Sequence, residues 1–199
     1  MHAELRWFVF HTLQRRSPQP VRSQFVSRQI KRTMKVQESP PDQERRGLIE
    51  AVIGEAAALF DIDLKTDSPQ AIMQKMNDAV VDLVFERPTS VSEDENPHLV
   101  LGALWGAQMA RQFHWYWADV VIDDEINEVA MISPNQEMII FPFSFTAACI
   151  GKQCICTILL AFNMLLENDR IAEIAPGTYE NIMLMIHHIV PPYTLESDG

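Results

Sequence analysis

The sequence predicts an α+β fold: a three-stranded antiparallel meander packed by about five helices in a single domain. Three observations carry that expectation. Five stretches repeat apolar residues at helical spacing. One stretch, Trp115 to Phe141, alternates apolar and polar residues between turn-forming breaks. A chain of 199 residues that is 47% apolar suits one hydrophobic core better than two.

The N-terminal stretch stands apart. Residues 1–33 carry seven basic side chains and one acid, Glu4, a balance of +6 that leaves −17 on residues 34–199 in a total of −11. No acid occurs from Leu5 to Gln37, while Arg15, Arg16, Arg22, Arg28, Lys31, Arg32 and Lys35 are interleaved with Ser and Gln. That composition fits a transit peptide or a disordered basic arm. A third reading is an over-extended start, since Met34 opens MKVQESPPDQ in the manner of a natural N-terminus. Residues 1–39 are therefore expected outside the folded domain, which should run from 40 to 192 and end in a polar tail, 193–199. Trp7 to Phe10 is too short for a signal sequence or a membrane span.

Ser39-Pro40-Pro41-Asp42 breaks the chain before a first helix, Gln43 to Phe60, with Leu48, Val52, Ile53, Ala56, Leu59 and Phe60 at helical spacing. Ser68 reads as the N-cap and Pro69 as the first residue of a second helix, whose stripe is Ile72, Met76, Ala79, Val80 and Leu83, ending near Glu86. A polar loop with Glu93, Asp94 and Glu95 follows, then a helix from Pro97 to Phe113. Leu101, Leu104, Trp105 and Met109 form its bulky side, and Gly102, Ala103, Gly106 and Ala110 its small side. Each helical glycine costs roughly 1 kcal/mol relative to alanine, so a packing reason is expected, most simply this helix lying on a sheet. Gln108, Arg111 and Gln112 exclude a membrane helix pair built on Gly102-x-x-x-Gly106.

The meander comes next. Trp115 to Ile122 is the first strand, with Tyr116, Ala118, Val120 and Ile122 on one face and Trp115 and Trp117 on the other. The turn Asp123-Asp124-Glu125 leads to Glu128–Ile132, and Ser133-Pro134-Asn135-Gln136 leads to Glu137–Phe141, stopped by Pro142. Phe143 to Ile150 fits either a helix or a strand, with helix favoured. Cys154 to Asn168 reads as the central core helix, and Tyr179 to Ile189 as the last one, closed by Pro191-Pro192.

For chemistry, the sequence narrows the field more than it fills it. Cys149, Cys154 and Cys156 are an odd count in an apolar region, which argues for core thiols in a reducing compartment rather than a disulfide framework. Their C-x4-C-x-C spacing matches no zinc pattern, and His187 and His188 point about 100° apart on a helix. No metal and no cofactor are therefore expected. G-x-S-x-G, the P-loop and G-x-G-x-x-G are all missing. The remaining catalytic option is the carboxylate pool Asp119, Asp123, Asp124, Glu125 and Glu128, with Asp119 the unusual member because it lies within a strand. That option requires a concave pocket with at least two acids. A binding option uses Trp115 and Trp117 as an anchor beside the acidic turn, provided that face is uncovered. The acidic body repels phosphate backbones, disfavouring direct nucleic-acid contact, and favours a basic partner.

The residues Leu101, Gly102 and Gly106, then Trp117 and Val120, then Phe141 and Pro142, make a helix with L-G-x-x-x-G, a W-x-x-V strand and an F-P exit after a hairpin. Over residues 99–145 the chain resembles a family of small bacterial α+β domains of unknown function. The resemblance implies that fold and a bacterial cytoplasmic origin, and no catalytic residue. In character the chain is also similar to immunity proteins of secreted bacterial toxins, including those of type VI secretion. The leading expectation is thus a cytoplasmic inhibitor that neutralises a basic toxin domain, a nuclease being the natural class. It would bind through Glu93, Asp94, Glu95, Trp115, Trp117, Asp123, Asp124 and Glu125, with no membrane contact. The alternatives are an enzyme using carboxylates near Asp119, and a non-catalytic adaptor with a self-complementary apolar patch that allows a homodimer.

Overall fold

The computed structural model describes residues 35–91, 95–124, 126–167 and 173–187. Local sequence starts most of its helices. The Asp42 carboxylate accepts the Arg45 N–H at 2.8 Å, and Ser68 Oγ accepts the Ala71 N–H at 3.2 Å. In chain order the elements are β1 (Val36–Ser39), α1 (Gln43–Leu59), α2 (Pro69–Val84), α3 (Pro97–Phe113), β2 (Tyr116–Ile122), β3 (Ile126–Ile132), β4 (Met138–Ile140), α4 (Pro142–Ile150), α5 (Ile158–Glu167), β5 (Glu180–Asn181) and α6 (Ile182–His187). α3 is closed by His114 at φ 61°, whose N–H bonds the Ala110 carbonyl at 3.1 Å.

The α+β class and the β2–β3–β4 meander match expectation, but the sheet is larger. It has five strands in the order β1-β2-β3-β4-β5, antiparallel except for the parallel pair β4–β5. The helices described number six rather than about five. β1 arises inside the stretch expected to be an arm: Val36 pairs with Ile122 and Ser39 with Asp119, so the folded region includes residue 36 onward instead of starting at 40. Four residues, and two in β5, are too short to display alternation; pairing with a distant strand is what makes them strands. Residues 1–34 and 188–199, and with them most of the expected arm and the whole tail, lie outside the described residues.

Two further boundaries shift, the first of them again through strand pairing. Glu180 and Asn181 pair with Met138 and Ile139, and Tyr179 has φ 52°, so the last helix begins at Ile182 and not at Tyr179. α5 begins at Ile158, leaving Cys154 to Thr157 as loop. Phe143 to Ile150 is helical, with Pro142 as its first residue.

The sheet separates two apolar layers. On one side Trp115, Met131, Met138 and Ile140 join the main core with Ile72, Met73, Met76, Leu101, Leu104, Trp105 and Phe162 from α2, α3 and α5. On the other side Ala118, Val120, Ala130, Ile132 and Ile139 form their own buried cluster, bordered by Val36, Tyr116, Phe141 and Tyr179. α1 packs on α3 through Leu48, Val52, Leu99 and Ala103.

The small side of α3 is filled by aromatic rings. Trp117 and Phe143 stack with centroids 5.5 Å apart and planes 15° from parallel. A Cβ added at Gly106 would lie 2.2 Å from Trp117 Cζ2, and one at Gly102 would lie 2.8 Å from Phe143 Cδ1. The glycines one turn apart thus form a notch for a stacked ring pair, one ring from β2 and one from α4.

Candidate functional site

The acidic turn sits at the tip of the β2–β3 hairpin. Asp123 and Asp124 have φ of 51° and 60°, the doubly left-handed backbone of a tight hairpin turn, which aspartate tolerates better than most residues. β1 ties this tip down. Lys35 N–H donates to Asp123 Oδ1 at 3.1 Å, and Asp123 N–H returns a bond to the Lys35 carbonyl at 2.9 Å. Asp124 accepts Lys35 Nζ at 3.0 Å and Gln37 Nε2 at 3.2 Å. Both aspartates are exposed. The Lys35–Asp124 pair leaves 62% and 66% of its side chains in solvent, where such a pair contributes about 0–1 kcal/mol. Backbone pairing, more than charge, fixes the tip. Glu93, Asp94 and Glu125 lie outside the described residues, and Glu95 is half-buried.

The two tryptophans expected beside this turn do not form an exposed anchor. Trp115 is 5% exposed in the main core, and Trp117 is half-buried against Gly106 and Phe143. Both are therefore removed from the set of partner-contacting residues. For Trp117 the physical reason is the glycine notch, which seats its ring against α3.

Asp119 is likewise committed. It forms a partly buried ion pair with Arg45 at the start of α1, which locks that helix to β2. Val120 pairs directly with Glu128, so Glu128 shares the Val120 face and Asp119 takes the opposite one. Glu128 accepts a hydrogen bond from Ser144 Oγ at 2.7 Å, and burial raises its carboxyl above the usual range. The two unusual acids of the pool point to opposite sides of the sheet, and the paired-carboxylate arrangement is not formed by them.

A polar cluster that the sequence did not signal closes the second sheet face. Glu38 of β1 accepts the Tyr116 hydroxyl at 3.1 Å and Gln136 Nε2 at 2.7 Å. Tyr179 N–H bonds the Gln136 carbonyl at 2.9 Å, bringing a second phenol to the group. Burial, then the hydrogen bond to Glu38, raises the Tyr116 pKa. Tyr179 is pushed up to about 12 by burial and by the neighbouring charge of Glu38. Glu38 lies in the stretch read as an arm and break, and no local pattern there marks it.

The thiols converge. Cys149 at the end of α4 is buried, and its Sγ lies 3.5 Å from that of Cys154 in the following loop. Cys156 Sγ is 3.5 Å from Asn77 Oδ1 of α2. Cys154 and Cys156 are half-buried rather than core residues. Elsewhere, His98 in the first turn of α3 has a buried Nε2 with no hydrogen-bond partner, and burial lowers its pKa. Among the described residues no group of three His, Cys, Asp or Glu is arranged to hold a metal ion, and no helix is long and apolar enough to cross a membrane. Comparison with protein-family models, curated proteins and solved structures finds no match.

Proposed function

We propose that this chain is an immunity-type inhibitor that binds a basic protein toxin domain stoichiometrically, with a nuclease as the target class. The observation that carries the reading is the acidic hairpin tip. Asp123 and Asp124 are held in a fixed turn by β1 and present their carboxylates to solvent. Prearranged charge of this kind loses little freedom on binding, and it resembles the phosphates that a basic nuclease cleft accepts. The excess of 27 acidic over 16 basic residues supports fast, salt-sensitive association with such a partner. The Gly102/Gly106 helix and the Phe141-Pro142 exit support placement among small bacterial α+β domains.

The test is capture of the partner from the source bacterium, then titration with wild-type protein and with an Asp123→Asn/Asp124→Asn variant. Asparagine tolerates the left-handed backbone and so removes charge without disturbing the turn. The expected result is about tenfold weaker binding, equivalent to about 1.4 kcal/mol, together with a shallower salt dependence. Unchanged affinity would overturn this placement of the interface. A captured partner whose toxicity the chain does not suppress would overturn the inhibitor role.

A further inference from the structure

Three cysteines within eight residues of sequence are brought together by the end of α4 and the start of α5. Cys149 Sγ lies 3.5 Å from Cys154 Sγ and 3.8 Å from the Ile155 carbonyl. A disulfide requires about 2.05 Å between sulfurs, so the pair needs only a modest approach. The chain between them is suited to that movement. Gly151, Lys152 and Gln153 are exposed, Lys152 adopts φ 58°, and residues 155–157 belong to no helix or strand. Cys156 completes the group two residues beyond Cys154, and α5 starts two residues after it. We propose that Cys149 and Cys154 form a reversible disulfide centre, oxidised by a low-molecular-weight disulfide, with Cys156 as the neighbouring thiol for exchange.

The chemistry follows from which thiol is ionised and which is enclosed. Thiol bonding with Cys149 lowers the pKa values of both Cys154 and Cys156; the Ile158 N–H adds to this at Cys156. Cys149 itself is pushed above the ordinary thiol range by those same bonds, then by burial. Cys154 is the more accessible member of the contacting pair, and a thiolate is the attacking species. Its thiolate attacks one sulfur of the small disulfide, forming a mixed disulfide and expelling one small thiolate. Cys149 passes its proton to that thiolate and attacks Cys154 Sγ, forming the Cys149–Cys154 bond. The second small thiolate leaves and takes up the proton that Cys154 had released. One disulfide is reduced to two thiols while two protein thiols are oxidised to one disulfide.

The experiment incubates the full chain with glutathione and glutathione disulfide over a range of ratios, traps free thiols by alkylation and digests with trypsin. Lys152 lies between Cys149 and Cys154, so cleavage there puts them on separate peptides and any link is read directly. Wild-type protein should give that linked pair, with an intact mass lower by two hydrogens and no glutathione adduct. Cys156→Ser should retain the link. Cys154→Ser should lose the linked peptide pair, and an undiminished link in that variant, through Cys156, would overturn Cys154 as the partner of Cys149. Full alkylation of three thiols in wild-type protein at every ratio overturns the proposal, and this arm depends on no variant folding. Stable glutathione adducts without a linked peptide overturn it as well.

Discussion

Single residues decide how closely α3 meets the rest of the molecule, and glycines give the sharpest contrast. A Cβ at Gly106 would enter the Trp117 ring at 2.2 Å, whereas at Gly47 and Gly54 of α1 nothing lies within 4 Å. Gly106→Ala should therefore destabilise by about 1–3 kcal/mol through overpacking, despite alanine's helix preference. Gly47→Ala and Gly54→Ala should stabilise by up to about 1 kcal/mol each. Urea unfolding of the three variants checks the pattern, and a uniform response would contradict the notch. Two half-buried titrating groups pull stability in opposite directions with pH. His98 has a lowered folded pKa, so the unfolded chain takes the proton first, and stability falls as pH drops below about 6.5. Glu128 has a raised folded pKa, so its contribution is complete below its unfolded value, about 4.3, and is lost as pH rises through the folded value. Glu128→Gln should accordingly raise Tm at pH 7, with the gain vanishing near pH 4. His98→Gln should flatten the loss between pH 7 and pH 5. Thermal melts across that range measure both.

Among the elements, β1 has the largest effect for its length. Its four residues pair with β2, anchor the hairpin tip through Gln37 together with Lys35 just before the strand, and place Glu38 under Tyr116 and Gln136. Glu38→Ala should cost about 0.5–1.5 kcal/mol, because a half-buried hydroxyl and an amide lose their shared acceptor. Glu38→Gln is the finer probe. It keeps an acceptor but removes the charge, so the Tyr179 phenol, held at about 12, should titrate lower in a spectrophotometric titration. An unmoved tyrosine titration would show that burial alone sets that value. The Arg45–Asp119 pair plays the matching role for α1. Asp119→Ala should destabilise by about 1–3 kcal/mol, since it removes the partly buried ion pair that ties α1 to β2.

For the molecule as a whole, the sheet divides the carboxylates that a single active site would need to gather. Asp119 faces the helices and Glu128 faces the other way. On the proposed reading, the acidic charge acts on a basic partner at long range and is weakened by salt. Association of the wild-type chain with a basic partner should slow as salt increases, while the Asp123→Asn/Asp124→Asn variant should show a weaker dependence. Stopped-flow mixing at several ionic strengths measures the difference.

The sequence by itself determined the helix starts at Asp42, Ser68 and Pro97, the turns of the meander and the small side of α3. Each depends on a cap, a proline, a turn residue or a period contained within a few neighbours. Only the tertiary structure decided the rest. β1 and β5 are too short to carry a pattern and exist because a distant strand offers them hydrogen bonds. Sequence favours a covered Trp115/Trp117 face without showing what covers it, and the structure supplies the cover: Trp115 lies in the main core and the Trp117 ring sits against Gly106 of α3. The thiols read as separate core residues because spacing alone does not show that a helix end and a loop fold back to put Cys149 against Cys154. Local chemistry sets where elements begin; pairing between distant segments sets which side chains meet, and that meeting is what function depends on.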